Sequence, residues 1–176
     1  MESHRLINQD SGNTEWWTPK PIIAVAKDLM GGIDFDPACS GAAFAYHQHC
    51  KIYCDHAGLE RAWPGNVWMN HPFGRGQNEQ WVSKLIASYE EDTTKQACCI
   101  TFASVSERWF QPLLRYPQFF FCGRINYIDP VTLAPVKGVT KGSVLTWLYP
   151  KWKDYRTALN RFSSVMLDAG FKGIAK

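Results

Sequence analysis

Four consecutive residues, Asn70-His71-Pro72-Phe73, combine the groups needed to hold a planar amine. The asparagine side chain offers one carbonyl oxygen, and the next peptide offers another. Proline fixes the chain so that the two acceptors converge, and phenylalanine supplies a flat face. Such a set suits the exocyclic NH2 of a nucleobase turned out of its stack: the ring stacks on it and the carbonyls accept both N–H bonds. A proline turn after a strand, with its phenylalanine in the core, would use the same residues, so the tetrapeptide gains weight only from its surroundings.

A second run, Asp36-Pro37-Ala38-Cys39-Ser40-Gly41, sets an acid ahead of small residues. The acid can hold an amino group or hydroxyls, and small side chains let a ligand approach the backbone. An ordinary strand-to-helix turn has a similar composition. Asp55 closes a third apolar stretch with another acid. His47, His49, Cys50, Cys54 and His56 form a dense His/Cys cluster to be weighed as a zinc site. A strand between Cys50 and Cys54 would put both on one face, with His56 just past its end. Short motifs of this kind arise often without a metal, and no metal ligand is assigned.

These residues need elements to position them. Thr18-Pro19-Lys20-Pro21 reads as a Thr-capped helix start with proline just inside, and Ile22, Ile23, Val25, Ala26, Leu29 and Met30 share a helical face up to Gly31-Gly32. Strands are expected at 33–36, 51–54 and 66–69, ending at Asp36, Asp55 and Asn70 respectively, with a short helix to about His49. Further helices are expected over 78–89, 106–114 and 155–169, a buried strand over 97–103, and paired strands over 118–128 and 143–149. Strands alternating with helices point to an α/β sheet covered on both faces, with the late pair as an antiparallel addition. Ligands of open α/β sheets bind beyond the carboxyl ends of the strands. Three such ends here carry polar or unusual residues.

Composition sets the bounds. The chain has 176 residues, 45% hydrophobic and 20% charged, which describes a folded globular protein and not a disordered tail. A net charge of +3 excludes histone-like binding by charge alone, although a local basic face remains open. Arg75 directly after the tetrad, Arg108 beside Trp109, and Arg124 are the candidate DNA contacts, with Lys137 and Lys141 in the loop between the late strands. Aromatics reach 14%, with eight tryptophans, enough both for a core and for stacking on bases. Apolar runs such as Phe119-Phe120-Phe121-Cys122 are too short to span a bilayer, and no signal peptide opens the chain. The six cysteines include Cys98-Cys99 inside an apolar run and read as reduced thiols of a cytoplasmic protein.

Taken in order, Thr14-Glu15-Trp16-Trp17-Thr18-Pro19, Asp36-Pro37-Ala38-Cys39, Gly58-Leu59 with Trp63, Trp68-Met69-Asn70-His71-Pro72-Phe73-Gly74, Arg108-Trp109-Phe110 and Gly123-Arg124-Ile125 resemble the phage-type DNA adenine-N6 methyltransferases, the small Dam family of phages and prophages. The resemblance spans roughly residues 14 to 150. It implies a Rossmann-like methyltransferase sheet that binds S-adenosylmethionine and acts on double-stranded DNA inside a bacterial host cell. On that reading Trp17, Thr18 and Pro19, together with Asp36, Pro37, Ala38 and Cys39, line the cofactor pocket, and Asp55 contacts the adenosine part. The family's Asn-Pro-Pro-Tyr tetrad falls on Asn70 to Phe73. Phe73 keeps the stacking face and lacks only a hydroxyl, while His71 stands at a position whose role is a backbone carbonyl.

Residues 1–13 are expected to be a loose arm and 14–176 a single domain with no room for a large target-recognition domain. A short or loosely specified target follows. Two other readings stay open: a catalytically silent nucleic-acid-binding module on the same scaffold, and methylation of another exocyclic amine, in RNA or at cytosine N4.

Overall fold

The computed structural model describes residues 15–74, 76–137 and 139–176. The arm expected over residues 1–13 and the candidate Arg75 lie outside them. Helix α1 (Lys20–Met30) begins at Pro19 in the N-cap position, with Pro21 in the first turn, where a missing N–H breaks no helical bond. Its buried face is Ile22, Ile23, Val25, Ala26, Leu29 and Met30. No side chain caps this helix, so Thr18 is not the cap that its sequence position suggests.

The chain then runs through β1 (Phe35–Asp36), α2 (Gly41–His47), β2 (Ile52–Tyr53), β3 (Gly65–Met69), α3 (Asn78–Glu90), β4 (Thr94–Phe102), β5 (Gln118–Phe121), β6 (Ser143–Leu148), α4 (Tyr155–Asp168) and β7 (Gly173–Ala175). Ser40 caps α2 by accepting from the Ala43 N–H, and Asp154 caps α4 by accepting from Thr157. The strands form one sheet in the order β2-β1-β3-β4-β6-β5-β7. The first four are parallel, β6 is antiparallel to both β4 and β5, and β7 is antiparallel to β5.

Two apolar clusters flank this mixed α/β sheet. Trp68 of β3, Cys98 and Ile100 of β4, and Leu145 and Trp147 of β6 pack with residues of α1 and α4. Their sequence neighbours Val67, Met69, Ala97, Cys99 and Val144 pack on the other face, with Trp81, Val82, Leu85 and Ile86 of α3. Burial on both faces explains why β3, β4 and β6 read as nearly unbroken apolar runs.

Three expectations need correction. Residues 106–114 are not an α-helix: they form turns followed by a 3-10 segment, Gln111–Arg115, whose Pro112 cannot donate to a helical ladder. The strand expected over 118–128 stops at Phe121, and Gly123, at φ 93°, turns the chain in a conformation that side-chain-bearing residues rarely adopt. Ile128 instead pairs as an isolated bridge with Trp17. Strand β7, absent from the sequence reading, adds to the free edge of β5.

Candidate active site

From β1 the chain steps outward to β2, then returns to place β3 on the other side of β1. The sheet order therefore reverses between β1 and β3, the position at which neighbouring loops diverge and open a crevice. A cleft opens there. Its walls come from Trp16, Trp17 and Thr18 ahead of α1, Asp36, Ala38 and Cys39 after β1, His47 and His49 around the end of α2, and Asn70, His71 and Pro72 after β3.

The Asn70 amide is oriented by its neighbours. Its Nδ2 donates to the Trp16 carbonyl at 2.7 Å, while Oδ1 is buried and has no partner. Trp16 is itself held in place, because the adjacent Trp17 exchanges two backbone hydrogen bonds with Ile128, 3.1 and 2.8 Å long. The His71 ring is 1% exposed, and its Nε2 lies 2.7 Å from Asn78 Oδ1. Burial pushes its pKa down to about 4, with the Asn78 bond opposing, so the ring is neutral at physiological pH and Nε2 is the donor. Phe73 is half-buried, 4.5 Å from the Phe102 ring, and Lys141 Nζ lies 5.2 Å over that second ring.

On the other wall, Asp36 is buried with each carboxylate oxygen engaged once. Oδ1 accepts from the Ala38 N–H at 2.9 Å, and Oδ2 lies 2.7 Å from His49 Nε2. Desolvation brings His47 down to about 4, and its ring meets that of His49 edge-on at 5.4 Å. Among the described residues, eight buried side-chain polar atoms lack a partner. Five belong to this cleft: Thr18 Oγ1, His47 Nδ1, His49 Nδ1, Asn70 Oδ1 and His71 Nδ1. Unpaired buried polar atoms are costly and uncommon, and here they concentrate along one cleft.

Asp36, Cys39 and His49 bring potential metal-binding atoms within 4.8 Å of one another. Asp36 and His49 are already hydrogen-bonded to each other, the Cys39 thiol donates to the Ser40 carbonyl, and burial together with Asp36 pushes that thiol far up. Of the His/Cys cluster singled out in the sequence, only His49 joins this group. The Cys54 thiol donates to the His56 carbonyl, and burial pushes Cys50 up to about 12.

The model of the family DNA N-6-adenine-methyltransferase (Dam) matches residues 7–172. The chain belongs to the Dam family. No curated protein matches it significantly. Adenine-N6 methyl transfer to DNA is the activity this family implies, with S-adenosylmethionine the usual methyl donor of methyltransferases.

In this Dam-family chain, Trp17, Thr18, Asp36, Ala38, Cys39, Asn70, His71 and Pro72 all line the one cleft. Pro19, Pro37, Phe73 and Asp55 stand outside the lining. Asp55 is exposed and accepts from the Gly41 N–H at 3.3 Å, beside the start of α2. Arg108 and Arg124 are exposed, and Arg75 falls outside the described residues. Sequence reasoning missed Trp16, which orients Asn70, and Asn78, which engages His71; His47 and His49 stood out only as part of the His/Cys cluster weighed as a zinc site, with no metal ligand assigned. Their histidine type was a signal. The partner of His49, thirteen residues earlier, was not.

Proposed function

We propose that the cleft between β1 and β3 transfers a methyl group from S-adenosylmethionine to N6 of an adenine turned out of double-stranded DNA. The observation that carries this reading is the Asn70 amide: Nδ2 is spent on Trp16, while Oδ1 is buried, unpaired and part of the cleft that also contains Asp36. The donor set fits the cofactor. Its hydroxyl and amino groups offer partners to the hydroxyl of Thr18, the free nitrogens of His47 and His49, and the Asp36 carboxylate. Of the residues expected at the cofactor, Trp17, Ala38 and Cys39 would shape that half of the pocket. Reversal of strand order at the cleft, and an antiparallel β6 between β4 and β5, support reading the sheet as Rossmann-like.

When bound, the cofactor supplies a methyl group already activated on a sulfonium. The protein's task is then alignment and charge stabilisation. Adenine's amine is a weak nucleophile because its lone pair is delocalised into the ring. Asn70 Oδ1 and the His71 carbonyl accept its two N–H bonds, favour a pyramidal nitrogen and stabilise the positive charge that develops there. Phe73 offers a face to the extruded base. Arg75, Arg108 and Arg124 would contact phosphates, giving an affinity that falls steeply with salt. Within this chain, target readout would use the loops at 74–78 and 129–142. A phage or prophage setting, in a bacterial cytoplasm, follows from the same family reading.

The test is incubation of the protein with methyl-labelled S-adenosylmethionine and unmodified DNA, followed by mapping of the labelled base. Label at adenine N6 is expected. Label at cytosine N4, or in RNA alone, would replace the substrate. Absence of both label and cofactor binding would leave the silent module.

A further inference from the structure

At position 71 the proposed chemistry uses only a peptide carbonyl, yet the side chain there is buried and anchored. The ring lies edge-on to Phe73 at 5.5 Å and roughly parallel to Trp81 at 6.3 Å, with Nε2 2.7 Å from Asn78 Oδ1. Asn78 is the first residue of α3, a helix fixed under the sheet by Trp81, Val82, Leu85 and Ile86. Asn70 and His71 are thus both tied, Asn70 Nδ2 to the Trp16 carbonyl and His71 Nε2 to the first residue of α3. Pro72 confines residue 71 to extended backbone, so fixing the ring leaves its carbonyl little freedom. Because the ring is neutral and Nε2–H is the donor, the bond requires an acceptor at residue 78.

We infer that Asn78 is a positioning residue for the amine site: its Oδ1 holds His71 by Nε2–H, so that the carbonyl of residue 71 converges with Asn70 Oδ1. The inference rests on the amine-site reading above and adds a residue outside the tetrad that determines its geometry. Asn78 is not part of the cleft lining. It acts through His71.

Four variants and three measurements test this. Asn78→Leu removes the acceptor and should lower kcat on the order of 10²-fold, the effect of a small misalignment, without changing cofactor affinity. Asn78→Asp keeps an acceptor and should retain most of the activity. His71→Phe removes the donor and should lower kcat to a similar extent, and His71→Phe with Asn78→Leu should be no worse than either alone. In parallel, hydrogen exchange of the peptide covering residues 70–78 should quicken in Asn78→Leu while the sheet is unaffected. Additive losses in the double variant, a loss confined to cofactor binding, or unchanged exchange would overturn the inference. If wild-type protein transfers no methyl group to adenine, the functional reading fails by itself, and the exchange measurement still decides whether Asn78 holds the segment.

Discussion

A neutral imidazole buried behind the cleft, that of His71, makes stability fall with acid. Burial lowers His71 to about 4, and in the unfolded chain it titrates near its ordinary value of about 6.5. Between those pH values the unfolded state binds the extra proton, so stability is complete above about 6.5 and declines as pH falls toward 4. The limit is on the order of 3 kcal/mol for this group. His47 shifts in the same direction but is partly exposed and contributes less. Chemical denaturation at pH 7 and pH 5 should show this loss in the wild type and a smaller one in His71→Phe; equal losses would contradict it. At this scale the sequence was informative where residue type met a strand end. Asn70 and Asp36 were legible because an amide and an acid close apolar stretches. His49 was not, because its bond to Asp36 joins segments that only the sheet brings together. Thr18 was legible as a polar residue at a helix start, yet its hydroxyl caps nothing and remains unpaired in the cleft.

Elements with a strong period were legible, and short or irregular ones were not. The apolar faces of α1, α3 and α4 repeat at helical spacing, and the observed bounds of α3 and α4, Asn78–Glu90 and Tyr155–Asp168, stay within a residue of those expected. Strand β7 has only three residues, Gly173–Ala175, too few to show alternation. The end of β5 depends on Gly123, which an apolar pattern does not weigh. One close approach joins two elements at the site. A Cβ on Gly58 would collide with the Pro37 carbonyl oxygen, inside the turn that carries Asp36. Gly58→Ala should therefore destabilise the protein by about 1–3 kcal/mol, as overpacking does, and also weaken cofactor binding by shifting that turn. Thermal unfolding and calorimetry check both effects, and a variant with wild-type Tm would show that the turn moves freely.

At the scale of the whole molecule, the cleft is a product of connectivity. Segments near residues 16–18, 36–49 and 70–72 meet because β1 and β3 are neighbours and α1 begins beside them. The tie from Trp17 to Ile128 closes the wall from the far half of the chain. Sequence could propose the α/β class and the polar strand ends, but not that Trp16, fifty-four residues before Asn70, would orient its amide. Among the described residues no helix is long and apolar enough to cross a membrane. The account rests on one amide oxygen, buried and unpaired beside the cleft, and a single-turnover experiment addresses it. Asn70→Ala is saturated with S-adenosylmethionine, its affinity confirmed by calorimetry on the same preparation, and methyl transfer to DNA is followed. We predict transfer slowed by at least about 10²-fold with cofactor affinity near that of the wild type. Transfer at the wild-type rate would contradict the account.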